Sequence, residues 1–319
     1  MYQQSMKIYL SLLCLLTFAI GQIWAQQITF SPQWTPQSQF AGYYAALENG
    51  YYAEAGLDVR IEHPTTSYSS MSMLEDGSSD IITSELIQAM MKTDEGFKLV
   101  NLLQTNQHST LVLIARATGV RNLSDLANCK VGTWKVGFNE IPHMIDKDQQ
   151  LNIEWIKLIN PLNLYIAGAI DATLAKSYNE LILFSMSGVR PGSVLYFSQY
   201  GYDFPEDGLY VSEAFYRKHP EQCRLFAEAS RKGWEWVRSN REAALEIVMK
   251  YVKQANVPTN RYNQKWMLDA ILEAQEDEAG GQASYRLMED DFNRLNESLK
   301  KYGYITRPVN YERFTGGKQ

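Results

Sequence analysis

Short apolar segments alternate with helical ones along this chain, and that alternation constrains its fold more than any other feature. Between Gln27 and about Asn106, strand-like runs at Gln27–Phe30, Leu57–Ile61, Asp80–Ser84 and Lys98–Gln104 are separated by helical segments. Those helices cover Gly42–Asn49, pass through Met71 and Leu74, and start again after Ser84. Strand, helix, strand in succession calls for a parallel or mostly parallel sheet, since parallel neighbours need a crossover on one face. A second series opens with the apolar strand Leu111–Arg116 and a short helix at Leu123–Leu126. It continues with strands Cys129–Trp134, Ile153–Leu158, Ala172–Ala175, Leu195–Phe197 and Gly208–Val211. Helices start near Ile141, cover Leu162–Ala169 and open at Ser177–Glu180. Beyond Ser212 only helical periodicity remains, in Glu213–Lys218, Pro220–Asn240, Arg241–Ala255, Tyr262–Ala274 and Tyr285–Tyr302. Breaks fall at Asn256–Thr259 and Ala279–Gly281. The tail after Tyr304 reads as a surface strap.

The pattern predicts an α/β fold of two lobes. Residues 27–113 form the first part of lobe one, 114–207 form lobe two, and 208–319 return to lobe one with the C-terminal helices. No low-complexity linker separates them, so short crossing segments make a hinge, and the lobes can open and close around a ligand cleft.

Residues 1–25 read as a signal peptide. Lys7 precedes an apolar run, Ile8–Gly21, that is too short to span a bilayer, and Ala25 supplies a small residue for cleavage. Leu13 precedes Cys14 where a lipid-attachment signal wants a small residue, so the expected product is exported to the periplasm and soluble. Cys129 and Cys223 then remain, and free thiols are favoured over a disulfide, which an oxidising compartment would permit. The four histidines show no metal-ligand spacing, and phosphate-binding glycine loops are absent, so no metal or cofactor is expected. A net charge of -6 without any basic run argues against nucleic acid as a partner.

Candidate binding residues cluster at turns that follow strands, where ligands collect in open α/β sheets. The first turn, Gln33 to Phe40, carries Trp34 and Ser38 and leads into Tyr43. Core packing is the alternative for its aromatics. Ser84 is placed as the N-cap of a helix whose free amides could bind a polar group, with a plain cap as the alternative. In the second series, Trp134 and Phe138 follow a strand, and Tyr178, Asn179 and Glu180 follow another. The Glu180 carboxylate would accept from a donor-bearing ligand edge; otherwise it is a first-turn glutamate favoured by the helix dipole. Gln33, Gln37, Gln39, Lys135, Asn139 and Glu140 are unranked additions.

Several of these motifs together resemble a known family. They are Trp34-x-Pro36, Gly42-Tyr43-Tyr44-x-Ala46, Gly50-Tyr51-Tyr52 with Gly56–Val59, Lys130-Val131-Gly132-x-Trp134 and Gly168-x-x-Asp171-Ala172. Tyr178-Asn179-Glu180, Tyr200–Leu209 and Arg231–Trp234 extend the match over essentially the whole mature chain. They are similar to the periplasmic substrate-binding proteins related to fungal thiamine-pyrimidine synthase. The resemblance implies a type II periplasmic-binding fold, a small-molecule ligand between the lobes, an ABC permease in the inner membrane as partner, and a monomer. It is nearest the branch that binds thiamine-pyrimidine precursors, formylaminopyrimidine or hydroxymethylpyrimidine; sister branches bind riboflavin, sulfonates, taurine or nitrate. The synthase branch uses its own histidine, pyridoxal phosphate and a cysteine-rich motif. This chain has no cysteine cluster and no histidine in the first turn, so a binder rather than an enzyme is expected. Trp34 and Trp134, one per lobe, would enclose the ring by stacking.

Overall fold

The computed structural model describes residues 27–317 apart from 66, 117–119, 136, 159–160, 189 and 278–282. The expected leader, 1–25, lies outside the described residues. The strands are β1 (Ile28–Ser31), β2 (Val59–Ile61), β3 (Ile81–Glu85), β4 (Leu99–Gln104), β5 (Leu111–Ala115), β6 (Lys130–Trp134), β7 (Glu154–Leu158), β8 (Ala172–Lys176), β9 (Ser193–Tyr196) and β10 (Asp207–Ser212). They form two five-stranded sheets, in the orders β2-β1-β3-β10-β4 and β7-β6-β8-β5-β9.

Each sheet is mostly parallel, as expected, but one strand in each is reversed. β10 runs antiparallel to both β3 and β4, and β5 runs antiparallel to both β8 and β9. Both strands arrive from the opposite lobe, without the crossover helix that a parallel neighbour needs. Strand-helix alternation cannot reveal their direction. β5 pairs wholly within the second sheet, so a border after 113 would cut through it, and β10 already starts at Asp207. The crossings therefore fall between β4 and β5 and just before β10.

Alternate residues of a strand face opposite sides of a sheet. On β10, Leu209 and Val211 join a core with Phe30, Tyr43, Tyr52, Phe226 and Trp234, under the helices Ala41–Glu48 and Pro220–Ser239. Tyr210 faces the other way, into a core shared with the second sheet through Leu86, Met90, Leu113, Leu174 and Phe292. A third cluster, including Val112, Ile114, Tyr165 and Phe184, covers the far face of the second sheet. The helices Ala41–Glu48 and Pro220–Ser239 cross where Gly42 meets Gly233. A Cβ on Gly233 would lie 2.0 Å from the Gly42 carbonyl oxygen.

All five helices expected beyond Ser212 are present, although Tyr285–Tyr302 shortens to Glu289–Lys301. The C-terminal tail is pinned: Asp94 accepts hydrogen bonds from the backbone amides of Thr306 (2.7 Å) and Arg307 (3.2 Å), while Ile305 and Phe314 are buried. Cys129 and Cys223 are free thiols. Among the described residues, no helix is long and apolar enough to cross a membrane.

Candidate functional site

Three strand ends meet between the two sheets. β3 ends at Glu85, β8 ends at Lys176, and β10 starts at Asp207, which pairs with Glu85 in register. The Lys176 Nζ atom lies 2.7 Å from Glu85 Oε1 and 3.0 Å from Glu206 Oε2. Lys176 belongs to the second sheet and Glu85 to the first, so this buried ion pair joins the lobes. Glu206 is held by the segment before β5, accepting from Ser109 Oγ (2.9 Å), the Thr110 amide (3.0 Å) and Thr110 Oγ1 (2.5 Å).

Asp207 is 5% exposed and accepts from two amide side chains, Gln33 Nε2 at 2.9 Å and Gln39 Nε2 at 2.6 Å. Gln37 Nε2 in turn donates to Gln39 Oε1 at 2.6 Å, and the Ser38 amide donates to Gln264 Oε1 at 2.7 Å. The glutamines of the first turn thus fasten that turn to the junction. Three buried polar atoms here, Gln33 Oε1, Ser38 Oγ and Asn106 Nδ2, have no hydrogen-bond partner among the described residues. Unpartnered buried polar atoms are rare and ask for an explanation, of which a ligand is one.

The junction is strongly acidic. Three carboxylates face one ammonium, and burying charge is costly unless it is paired. Burial pushes the Glu85 carboxyl up to about 8; Lys176 opposes the rise, while Glu206 and Asp207 add to it. Burial also raises Asp207, against the hydrogen bond from Gln39 and the charge of Lys176. For Lys176, burial works against the charged form, but Glu206 and Glu85 more than offset it and the ammonium is held. Burial, followed by Asp207, Glu206 and Glu85, lifts the Tyr178 phenol well above its ordinary range. The site therefore favours a partner that brings positive charge or hydrogen-bond donors.

Aromatic rings form one wall. The Lys176 ammonium sits 4.8 Å from the centroid of the Phe138 ring, and Trp134 packs edge-on against Phe138 at 5.2 Å. Phe138 has a φ of 59°, a left-handed conformation that is unusual for a bulky side chain and stores roughly 1–3 kcal/mol. A cavity of about 20 Å³ lies beside these groups, lined in part by Glu85, Ser109, Phe138, Lys176 and Glu206. That is room for about one water, so the lobes are drawn together here. A larger cavity of about 370 Å³ lies under the C-terminal tail, between Thr93, Lys98, Arg307 and Arg313. None of the expected site residues lines it, and the buried charges are elsewhere.

The expected residues fall into different places. Trp134, Phe138 and Tyr178 do gather at the junction, and Ser38 lies buried beside it. Trp34 is 58% exposed on the first turn, and its carbonyl meets His63 Nδ1 at 2.5 Å. Tyr43 is a core residue: its ring packs on Phe30 (4.8 Å) and edge-on to Trp234 (5.8 Å). The N-cap reading of Ser84 is corrected. β3 runs one residue further because Ser84 pairs with Gly208, and Glu85 takes the cap position without a side-chain cap bond. The Glu180 carboxylate turns back to accept from the Lys176 amide at 2.9 Å, and Asn179 Nδ2 approaches it at 3.4 Å. Glu180 thus clamps the end of β8. Sequence reasoning gave no site role to Glu85, Lys176, Glu206 or Asp207. The available signal was a charged residue ending each of two buried strands, Ile81–Glu85 and Ala172–Lys176.

Comparison with known proteins places this geometry in context. Two curated relatives are binding proteins by name. The formylaminopyrimidine-binding protein of Halalkalibacterium halodurans is 24% identical over 258 residues, 77% of this chain and 77% of its own. The riboflavin-binding protein RibY of Chloroflexus aurantiacus is 19% identical over 299 residues, 90% of this chain and 84% of its own. Among solved structures, the periplasmic aliphatic sulphonate binding protein SsuA of Escherichia coli superposes with a TM-score of 0.67 at 12% identity, covering 91% of each chain. The desulfurization enzyme DSZB superposes with a TM-score of 0.60 at 12% identity, covering 90% of this chain and 96% of its own. The fold is therefore the expected periplasmic-binding-protein fold, and it serves binders and an enzyme alike. Residues 37–244 match the family model described as NMT1/THI5 like, more than half of the chain. The chain belongs to the NMT1/THI5-like family.

Proposed function

We propose that this chain is the exported solute-binding component of an ABC importer, and that its ligand is a small flat heterocycle with a donor-bearing edge. An aminopyrimidine thiamine precursor, formylaminopyrimidine or hydroxymethylpyrimidine, is the leading case. The observation that carries the reading is the buried junction of Glu85, Glu206 and Asp207 around the single ammonium of Lys176. Carboxylates there would accept from an exocyclic amine and a protonated ring nitrogen. A sulfonate would face like charge, at a cost of several kcal/mol. Phe138 and Trp134 offer the face for a ring, with Tyr178 and Ser38 beside it. Trp34 is an exposed ring on the turn that carries Gln33 and Gln39, and Ser84, Asn179 and Glu180 support the strand ends from behind. The formylaminopyrimidine-binding relative supports the same ligand class.

Such a protein works without chemistry. A ligand that touches both lobes stabilises the closed state by its differential contacts, and a permease responds to closure. Calorimetry with formylaminopyrimidine, hydroxymethylpyrimidine, riboflavin and taurine tests the assignment. A pyrimidine is expected to bind and taurine is not; taurine binding alone would sink the reading.

A further inference from the structure

We propose that Lys176 is a built-in stand-in for a ligand's positive charge: its ammonium occupies the acidic junction in the unliganded protein, and a ligand enters by displacing it. The inference rests on the junction being the ligand site. The ammonium is coordinated as a guest cation would be. One carboxylate, Glu85, comes from the first sheet, and the other, Glu206, from the segment leading into β10. The Phe138 ring covers a further side at 4.8 Å. Two carboxylates and an aromatic face make up the donor set that an organic cation seeks. Glu85 lies on the first sheet and Lys176 on the second, so that contact exists only while the lobes are together, whereas Glu206 sits in the crossing segment.

The stem of Lys176 makes displacement feasible. Four methylenes allow the head group to withdraw without moving β8, which the rigid fork of an arginine would not permit as readily. Glu206 is fixed by Ser109 and Thr110, whereas the Glu85 carboxylate is bonded by Lys176 itself. Glu85 is therefore the acceptor released when the ammonium leaves. On this account Lys176 sets the charge selectivity of the cleft. A neutral ligand gains one freed acceptor, while a cation replaces the ammonium outright.

The test compares wild type with Lys176→Met. Two probes are titrated by calorimetry: neutral hydroxymethylpyrimidine and its aminomethyl analogue, which carries an ammonium at neutral pH. Removing the competitor should raise affinity for the aminomethyl probe over the hydroxymethyl probe by roughly tenfold or more, as expected for a charged hydrogen bond released from competition. Small-angle scattering of the unliganded proteins is the second readout, and the radius of gyration should rise in the variant as the lobes lose their tie. Should Lys176→Met not fold, Lys176→Gln, which keeps a hydrogen-bond donor beside Glu85 and removes only the positive charge, carries the same comparison. An unchanged radius, or an unchanged ratio between the two probes, overturns the proposal. If neither probe binds any variant, the pyrimidine reading fails and the scattering alone decides the role of Lys176.

Discussion

The close crossing of the helices Ala41–Glu48 and Pro220–Ser239 yields a sharp test. A Cβ on Gly42 would lie 2.2, 2.3 and 2.5 Å from Cδ2, Cγ and Cε2 of Trp234. Ordinary carbon contacts begin near 3.5 Å, so the helix Ala41–Glu48 would have to retreat by about 1.3 Å or the indole would have to move. The indole has nowhere to go: Trp234 is 1% exposed and packs edge-on to Tyr43. Overpacking a core of this kind costs roughly 1–3 kcal/mol, and a contact this short belongs at the upper end. Alanine in place of glycine in a helix gives back up to about 1 kcal/mol. Gly42→Ala should therefore lose about 2 kcal/mol, read as a lower urea midpoint by tryptophan fluorescence. In a Trp234→Leu background, itself less stable, Gly42→Ala should cost much less, so the double-mutant cycle should show coupling of at least about 1 kcal/mol. A Gly42→Ala protein as stable as wild type would refute the reasoning, because the ring would then have room that the packing denies it.

Three further outcomes follow from buried groups. Burial lowers the His63 imidazole to about 4, against its ordinary 6.5. The unfolded chain then binds the extra proton first, so stability is full above about pH 6.5 and falls as pH drops towards 4, by up to ~3 kcal/mol; His63→Gln should remove this dependence in urea midpoints taken across that window. Glu85 has the opposite sign, since its carboxyl is raised: its contribution is full below about pH 4.5 and is lost as pH rises through about 8, and Glu85→Gln should flatten that limb. Asp207→Asn should weaken aminopyrimidine binding by roughly 1.5–3 kcal/mol in calorimetry, and an unaltered affinity would remove Asp207 from the site.

Much of the fold could be read from local pattern because most strands here are short apolar runs closed by turn residues. Lys130–Trp134 and Leu111–Ala115 begin or end within a residue of where periodicity puts them. Direction could not be read, because a strand such as Asp207–Ser212 looks the same whichever way its neighbours run. The candidate site was legible only in part for a related reason. Trp134, Phe138 and Tyr178 announce themselves as aromatics at turns, and all three stand at the junction. Lys176 and Glu85 are separated by 91 positions and meet only because two sheets abut. Each alone resembles a solvated charge at a strand end. Tyr43 erred the other way: one turn of helix beyond the aromatic stretch carries it into the core, where Trp234 is waiting.

The place of β10 has a bearing on how this chain reaches its structure. β3 and β4 are not neighbours; β10 lies between them, hydrogen-bonded to both. The first 104 residues therefore cannot complete their own sheet. Until Asp207–Ser212 is available, Ile81–Glu85 and Leu99–Gln104 each present an open, apolar edge that another chain could pair with. Closing the gap requires a loop of about a hundred residues to be drawn in, an entropic cost that falls before the reward and slows folding. Assembly of the first sheet must wait for β10, which follows every strand of the second sheet in the chain. A carrier that holds such a chain extended until its full length has emerged would protect the two edges that the finished protein conceals.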